Sequence, residues 1–146
     1  PGKAFMTETA GYSGTPLIKK LGLRPGMSAR LINPPERYWT LLGGDPNDLE
    51  LQLLEEGEEG EADFTHLFAR TESALASGFR TARDGTALDG MIWASWPKKS
   101  SGVESEISRS EVMVAGKSEG LVDVKVCAVD ETWSGLKFVV PVENRD

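Results

Sequence analysis

Apolar residues along this chain fall into short runs separated by turn-forming residues, and the spacing within each run predicts its secondary structure. Residues 91–95 have no polar alternation, which is typical of a strand covered on both faces, and a turn is expected just before them at Asp89-Gly90. Residues 28–32 and 64–69 predict two further strands. Residues 49–53 alternate leucine with polar side chains, the pattern of a strand with one wetter face near the edge of a sheet.

Between these strands the chain carries the signals of helices. The pattern predicts helices over residues 16–21, 36–42, 72–87 and 109–119. Thr15 is expected to cap the first of them and Thr71 the third. Ser108 and Glu111 form the spacing of a capping box at the start of the fourth helix, which Gly120 should end.

The last two predicted strands, residues 121–129 and 136–142, are separated by a connection too short for a parallel crossover and should be antiparallel. Strands alternating with helices before this pair predict an α/β fold, a three-layer Rossmann-like sandwich with a mostly parallel sheet and an antiparallel pair of strands at the C-terminus. We expect one domain over residues 12–146. Residues 1–11 are expected to be disordered or vector-derived, with Met6 as the native start.

Charge is distributed unevenly along the 146 residues. The net charge is −7, but residues 38–69 hold nine acidic residues and no Lys or Arg, which leaves about +2 for the rest of the chain. Overall acidity argues against nucleic acid as a partner, because neutralising phosphates requires a basic surface. We interpret the acidic loop over residues 55–63 as a solvated connection, with metal binding as the weaker alternative because Glu-Gly repeats do not build an ordered oxygen cage.

The chain has one cysteine, Cys127, so an intramolecular disulfide is excluded and a reducing, cytoplasmic setting is expected. No apolar run reaches the length of a membrane span, and no signal peptide is visible, so no membrane partner is predicted. Cys127 is interpreted as inert core.

Common catalytic and cofactor motifs are missing. A nucleotide or S-adenosylmethionine (SAM) site normally has glycines directly after the first strand, where this chain has Asn33-Pro34-Pro35, and the prolines remove backbone donors and add bulk. We therefore expect no cofactor, SAM included. No P-loop or GxSxG pattern occurs, so no catalytic residue is predicted. One histidine and one cysteine are too few ligands for a typical zinc site, so no metal-binding residue is predicted. His66 is interpreted as a hydrogen-bonded strand residue, with a catalytic base as the alternative.

A basic, hydroxyl-rich loop follows the strand that starts at Met91. In α/β sheets ligands collect beyond the carboxyl ends of the strands, and Lys98, Lys99, Ser100 and Ser101 come just after such an end. Cations and hydroxyls there could hold a phosphate or carboxylate. The alternative is an ordinary solvated loop.

Four further residues are candidates for the same site. Trp96 and Trp133 are predicted at strand ends, where an indole ring can form the wall of a pocket, and Ser134 adds a hydroxyl beside Trp133. Asn33 lies at the carboxyl end of the first strand. The alternative for both tryptophans is packing without a ligand.

Three separated segments resemble a bacterial family of short proteins of unknown function, designated DUF3052. They are YSGTPLIKKLGLRPG (residues 12–26), WASWPKKSSGV (93–103) and GLVDVKVCAVDETWSGLKFV (120–139). The resemblance implies a bacterial cytosolic protein and assigns no activity. The final antiparallel pair is also similar to the end of class I methyltransferase sheets, an analogy of fold.

Three functions remain open from the sequence. The first is a non-catalytic binding module for an anionic small molecule or peptide at the C-terminal edge of the sheet. The second is a degenerate methyltransferase-like enzyme that binds a nucleoside cofactor in a non-standard way. The third is a homodimeric interaction or scaffold protein, with an exposed last strand or the acidic loop as its contact.

Overall fold

A computed structural model describes residues 15–55 and 57–145 of the chain. The expectations for residues 1–11, including Met6, lie outside the described residues. Six strands are described: β1 Ser28–Ile32, β2 Gln52–Leu54, β3 Ala62–Phe68, β4 Thr86–Pro97, β5 Val122–Ala128 and β6 Trp133–Val139. Four α-helices accompany them: α1 Leu17–Leu21, α2 Tyr38–Leu42, α3 Glu72–Gly85 and α4 Arg109–Ser118.

The strands form one sheet in the order β2-β1-β3-β4-β6-β5. Neighbours from β2 to β4 are parallel, whereas β6 is antiparallel to both β4 and β5. The predicted fold class is therefore confirmed: an α/β, Rossmann-like fold whose mostly parallel sheet has an antiparallel C-terminal pair.

Each face of the sheet has its own hydrophobic core. Helices α1 and α2 cover one face, where Leu21, Tyr38 and Trp93 are buried together, and the Trp93 indole Nε1 donates to the Leu21 carbonyl at 2.9 Å. Helices α3 and α4 cover the other face, where Phe79 meets Phe138 edge to face with ring centroids 5.1 Å apart. The three layers follow from this division of helices between the two faces.

Several predicted boundaries hold because a specific side chain fixes them. Strand β1 also begins and ends at the predicted residues, Ser28 and Ile32. Thr71 caps α3 by accepting the Ala74 amide at 3.1 Å, and the capping box of Ser108 and Glu111 starts α4.

Other boundaries were predicted wrongly. Helix α1 begins at Leu17 with Pro16 in the N-cap position and no side-chain cap, so the cap assigned to Thr15 is wrong. Residues 46–50 form turns, so the edge strand β2 begins only at Gln52. Residues Asp89 and Gly90 do not form a turn before a strand, because β4 already begins at Thr86 and contains both.

The position of the last strand corrects the proposed interaction surface. Strand β6 lies inside the sheet, between β4 and β5, so it is not an exposed strand. The strand at that edge is β5, where Val124 and Val126 are 53% and 50% exposed and the pairing with β6 is irregular between Asp123 and Lys125. A homodimer stays a prediction, and β6 cannot provide its contact.

Over the described ranges of the chain, no helix combines the length and apolar character that crossing a bilayer would require.

Candidate functional site

The strand order creates one point where the direction of the chain reverses within the sheet. After β1 the chain moves outward to β2, then returns to place β3 on the other side of β1. The carboxyl ends of β1 and β3 therefore lie side by side while their connections depart over opposite faces of the sheet. In open α/β sheets such a topological switch point is where a ligand crevice forms.

A cavity of about 370 Å³ lies at this switch point. We call it the switch-point crevice, and its lining is Asn33, Pro35, Phe68, Ala69, Arg70, Thr71, Ala74 and Trp133. Its volume falls in the range of small-molecule pockets, which is about 300–1,000 Å³.

Asn33 forms the floor of the turn that leaves β1. Its φ of 56° is in the left-handed region, which asparagine tolerates better than most residues other than glycine. The chain thus turns sharply at the point where a cofactor-binding fold usually has glycine. Helix α2 begins only at Tyr38 and has five residues, so the crevice receives little help from the amides of a following helix.

Two aromatic rings form one wall of the crevice. Phe68 and Trp133 meet edge to face with centroids 5.0 Å apart. Asp130 fixes the turn that carries Trp133, because its Oδ1 accepts the backbone N–H groups of Thr132 at 2.9 Å and of Trp133 at 2.8 Å. The indole is therefore presented by an ordered turn and offers a flat surface to a planar ligand.

Arg70 gives the crevice a positive charge at its rim. The residue follows β3 directly, its side chain is exposed, and its backbone carbonyl accepts the Glu106 amide at 2.8 Å. The backbone is thus anchored while the guanidinium is available to a ligand. An exposed guanidinium can bind a carboxylate through two parallel hydrogen bonds.

The crevice contains two of the eight residues that the sequence proposed as a site, Asn33 and Trp133. Trp96 is 6% exposed and packs in the core beneath α3 and α4. Ser134 lies within β6, paired opposite Trp96. Neither of them lines the switch-point crevice, and their contact with a ligand stays a prediction.

The basic loop lies one strand away from the crevice. The Lys98 amide donates to the Thr132 carbonyl at 2.8 Å, which places the loop beside the turn that carries Trp133. The Ser101 hydroxyl donates to the Lys98 carbonyl at 2.6 Å and accepts the Val103 amide at 3.1 Å, so it serves the local turn. Lys99 and Ser100 are exposed. Anion binding by this loop stays a prediction.

His66 is the centre of a buried polar chain and is closed to solvent. The Tyr38 hydroxyl lies 2.9 Å from Nδ1, the Ser95 hydroxyl lies 2.8 Å from Nε2, and none of the three is more than 1% exposed. Burial lowers the pKa of His66 to about 3 and raises that of Tyr38 well above its usual value. A neutral imidazole with both nitrogens bonded and no access to substrate is a structural group.

Cys127 is a half-buried thiol. Burial raises its pKa, and the charges of Lys20 and Lys125 oppose that effect in part. A raised pKa keeps the thiol protonated and weakly nucleophilic. In the part of the chain that the structure describes, no three His, Cys, Asp or Glu side chains come together as a set that could hold a metal ion.

Sequence reasoning missed Phe68 and Arg70. Both were visible as the end of a predicted strand, but nothing local shows that this strand lies next to β1. Only the sheet order identifies their loop as one side of the switch point.

No family model matches the chain, and no curated protein is similar enough in sequence to be matched. The resemblance to DUF3052 therefore stays an expectation.

Solved structures do share the fold. A SAM-dependent methyltransferase from Aquifex aeolicus superposes with a TM-score of 0.57 at 13% identity, covering 85% of this chain and 87% of that one. A methyltransferase from Pyrococcus furiosus gives 0.53 at 14% identity, covering 84% and 78%. Fibrillarin from Aeropyrum pernix, in complex with natively bound SAM, gives 0.53 at 13% identity, covering 88% and 70%.

These neighbours overturn the expectation that no cofactor is bound and that SAM is excluded. The fold is that of SAM-dependent methyltransferases, and one of the solved neighbours holds SAM. The expectation rested on Pro34 and Pro35 blocking the turn after β1. In the structure Asn33 makes that turn with a positive φ, and the crevice opens beside the prolines. At these identities the likeness shows that the chain has a methyltransferase-like fold.

Proposed function

We propose that this protein binds SAM in the switch-point crevice, as a methyltransferase-like protein with a non-standard set of cofactor contacts. The observation that carries the proposal is the crevice itself, which lies at the carboxyl ends of β1 and β3 in a fold shared with SAM-dependent methyltransferases. When bound, SAM supplies an activated methyl group.

The residues of the crevice fit the parts of this cofactor. The Trp133 ring offers a surface on which an adenine can stack. Arg70 provides a cation for the carboxylate of the amino-acid part. Glu55 does not line the crevice, but it directly follows β2, 23 residues after the end of β1 at Ile32. This is the usual position of the acidic residue that binds ribose hydroxyls in dinucleotide-binding folds.

One part of the usual arrangement does not fit. Pro34 and Pro35 contribute no backbone donors, and α2 starts too late for its amides to reach the ligand. The contacts that a glycine-rich turn would make must then come from side chains, Arg70 and the amide of Asn33. For this reason we expect weaker binding than a glycine-rich turn would give.

Calorimetry with SAM and with S-adenosylhomocysteine tests the proposal, using two variants that each remove one exposed cation. Arg70→Ala deletes the cation of the crevice, and Lys99→Ala deletes a cation of the neighbouring basic loop. We expect saturable heat with the wild-type protein, a loss of affinity of about tenfold or more in Arg70→Ala, and a change below about twofold in Lys99→Ala.

Two results would contradict the proposal. One is the absence of heat from either ligand at millimolar concentration. The other is binding that Lys99→Ala weakens and Arg70→Ala leaves unchanged, which would move the site to the basic loop, where the sequence alone places an anion.

A further inference from the structure

Arg30 is a buried cation with no anionic partner among the described residues. It lies in the middle of β1 on the face covered by α3 and is 6% exposed. The only ion pair among the described residues joins Arg37 and Glu131, so no described carboxylate lies within 4 Å of the Arg30 guanidinium. A charge taken out of water this far is costly unless it is paired.

The hydrogen bonds of Arg30 leave much of its capacity unused. Nη1 donates to the Glu58 carbonyl at 3.1 Å and Nη2 to the Gly60 carbonyl at 2.7 Å. Nε has no partner, and it is the one such atom among the buried side-chain atoms of residues 15–55 and 57–145. A guanidinium has five N–H bonds, so the two carbonyls account for fewer than half of them.

A second cavity of about 370 Å³ adjoins this side chain. We call it the Arg30 cavity, and its lining is Arg30, Leu31, Ile32, Asn33, Pro34, Gly57, Ser77 and Thr81. Arg30 is the one charged residue among the described residues that line it. Ser77 and Thr81 lie one turn apart on α3 and bring two hydroxyl groups to the cavity.

Helix α3 makes room for the guanidinium. A Cβ on Gly85 would lie 2.9 Å from Arg30 Nε and 3.3 Å from its Cζ. Glycine in a helix costs about 1 kcal/mol relative to alanine, and here it allows the charged group to lie against the helix. The arginine is therefore held in place by the fold beside the cavity.

We propose that the Arg30 cavity is a subsite for an anionic oxygen group, a phosphate or carboxylate of a small molecule, which Arg30 pairs with and Ser77 and Thr81 bind through their hydroxyls. The anion supplies the negative charge that none of the described carboxylates provides at this position. The site is separate from the proposed SAM contacts, although Asn33 borders both cavities.

The test adds inorganic phosphate or acetate to the full chain without SAM and measures Tm, with sodium chloride at matched ionic strength as the reference. We expect one of the two anions to raise the Tm saturably, by about 5 °C or more at a hundredfold excess over its Kd. The anion with the larger effect shows whether the cavity binds a phosphate or a carboxylate group. Thr81→Glu puts a carboxylate into the cavity and should abolish the effect. Ala76→Glu adds the same charge at another exposed position of α3 and should keep it.

A separate readout keeps the test independent of folding stability. In the ¹⁵N spectrum of the wild-type protein, the Arg30 Nε–H signal should shift saturably with the same anion, and not with chloride. Failure of both anions to exceed chloride, or an equal response of Thr81→Glu and Ala76→Glu, would overturn the proposal. Either result leaves SAM binding untouched, since SAM is absent from the assay.

Discussion

His66 and Arg30 are basic side chains buried on opposite faces of the sheet, and their surroundings differ in one respect. Each ring nitrogen of His66 has a hydroxyl partner, so the neutral imidazole is satisfied. The Arg30 guanidinium is a cation whose Nε has no partner among the described residues. Satisfied hydrogen bonds, as at His66, are typical of a residue with a structural role. An unsatisfied buried charge, as at Arg30, is typical of a ligand-binding site.

The buried imidazole predicts how stability depends on pH. The pKa of His66 is about 3 in the folded protein and about 6.5 in the unfolded chain, so between these values only the unfolded state takes up the proton. Stability is therefore lost as the pH falls below 6.5, and the free energy of unfolding should drop by about 2 kcal/mol between pH 7.5 and pH 5. Urea denaturation at a series of pH values measures this.

The matched variant for this experiment is His66→Gln. The chain has one histidine, so this substitution should flatten the curve between pH 7.5 and pH 5, whatever its effect on the absolute stability. Glu111, whose pKa is lowered mainly by its hydrogen bonds with Ser108, loses its contribution only at more acidic pH. A flat wild-type curve, or the same slope in the variant, would show that His66 does not titrate as described.

At the residue scale, the sequence indicated the role of a side chain but not the residues with which it forms hydrogen bonds. The reading of His66 as a hydrogen-bonded strand residue agrees with its two hydroxyl contacts. Those hydroxyls belong to Tyr38 and Ser95, 28 and 29 residues away, and no local pattern identifies them. From the sequence, Arg30 is only a polar residue within a predicted strand. Its burial and its unused donor can be recognised only in the folded structure.

At the scale of elements, helix α4 packs tightly against the sheet at Gly116. A Cβ there would overlap the ring of Phe138 in β6. In α3 the corresponding glycine, Gly78, has more room, since its Cβ would lie 3.3 Å from Leu67 Cδ1. The two helices therefore use glycine for different reasons.

This difference predicts opposite effects of the same substitution. Both variants to alanine gain about 1 kcal/mol of helix propensity. Gly116→Ala must also displace α4 or Phe138, and we expect a net loss of about 2 kcal/mol, whereas Gly78→Ala should be neutral or slightly stabilising. Chemical denaturation of the two variants in parallel measures the difference, and equal stabilities would show that α4 has freedom to move away from β6.

Local signals were reliable for elements when a side chain fixes the boundary, as Thr71 does for α3. They failed where the pairing of neighbouring strands sets the boundary of a strand. Asp89-Gly90 has the composition of a turn, yet β4 continues through it. Gly90 lies so close to β3 that a Cβ on it would be 2.8 Å from the Asp63 carbonyl oxygen, and only glycine fits there without a shift. The composition did mark an irregularity, since the pairing of β3 with β4 shifts register between Ala62 and Phe64.

For the whole molecule, the fold class was predictable and the strand order was not. Alternating strands and helices indicate an α/β sheet, and a short final connection indicates an antiparallel pair. Which strands are neighbours depends on contacts such as that of β1 with β3, more than 30 residues apart in the chain. The basic loop was therefore favoured as a site, although the switch point lies one strand away.

The sheet order also predicts a gradient of protection from hydrogen exchange. Strands β1, β3, β4 and β6 have a partner on both sides, whereas β2 and β5 have one. We expect the slowest amide exchange in the four inner strands, near the global limit, and exchange faster by at least about tenfold in β2 and β5. Exchange followed by mass spectrometry or NMR measures this gradient.

The edge strand β5 provides the contrary outcome. If its amides were protected as strongly as those of β3, the simple gradient would be wrong. Protection of β5 that increases with protein concentration would identify a second copy paired along this edge. Lys125 and the irregular pairing beside it work against such an association.

The interior position of β6 has a consequence for synthesis of the protein on the ribosome. When the chain has emerged as far as β5, the parallel strands can already associate, but the outer edge of β4 has no partner and β5 has no place in the sheet. That edge stays open until β6 leaves the exit tunnel, which takes roughly 0.5 to 2 seconds at ordinary rates of translation. During this interval an apolar strand ending at Pro97 is available to other nascent chains, so cells under chaperone shortage should lose this protein to aggregation before it is complete.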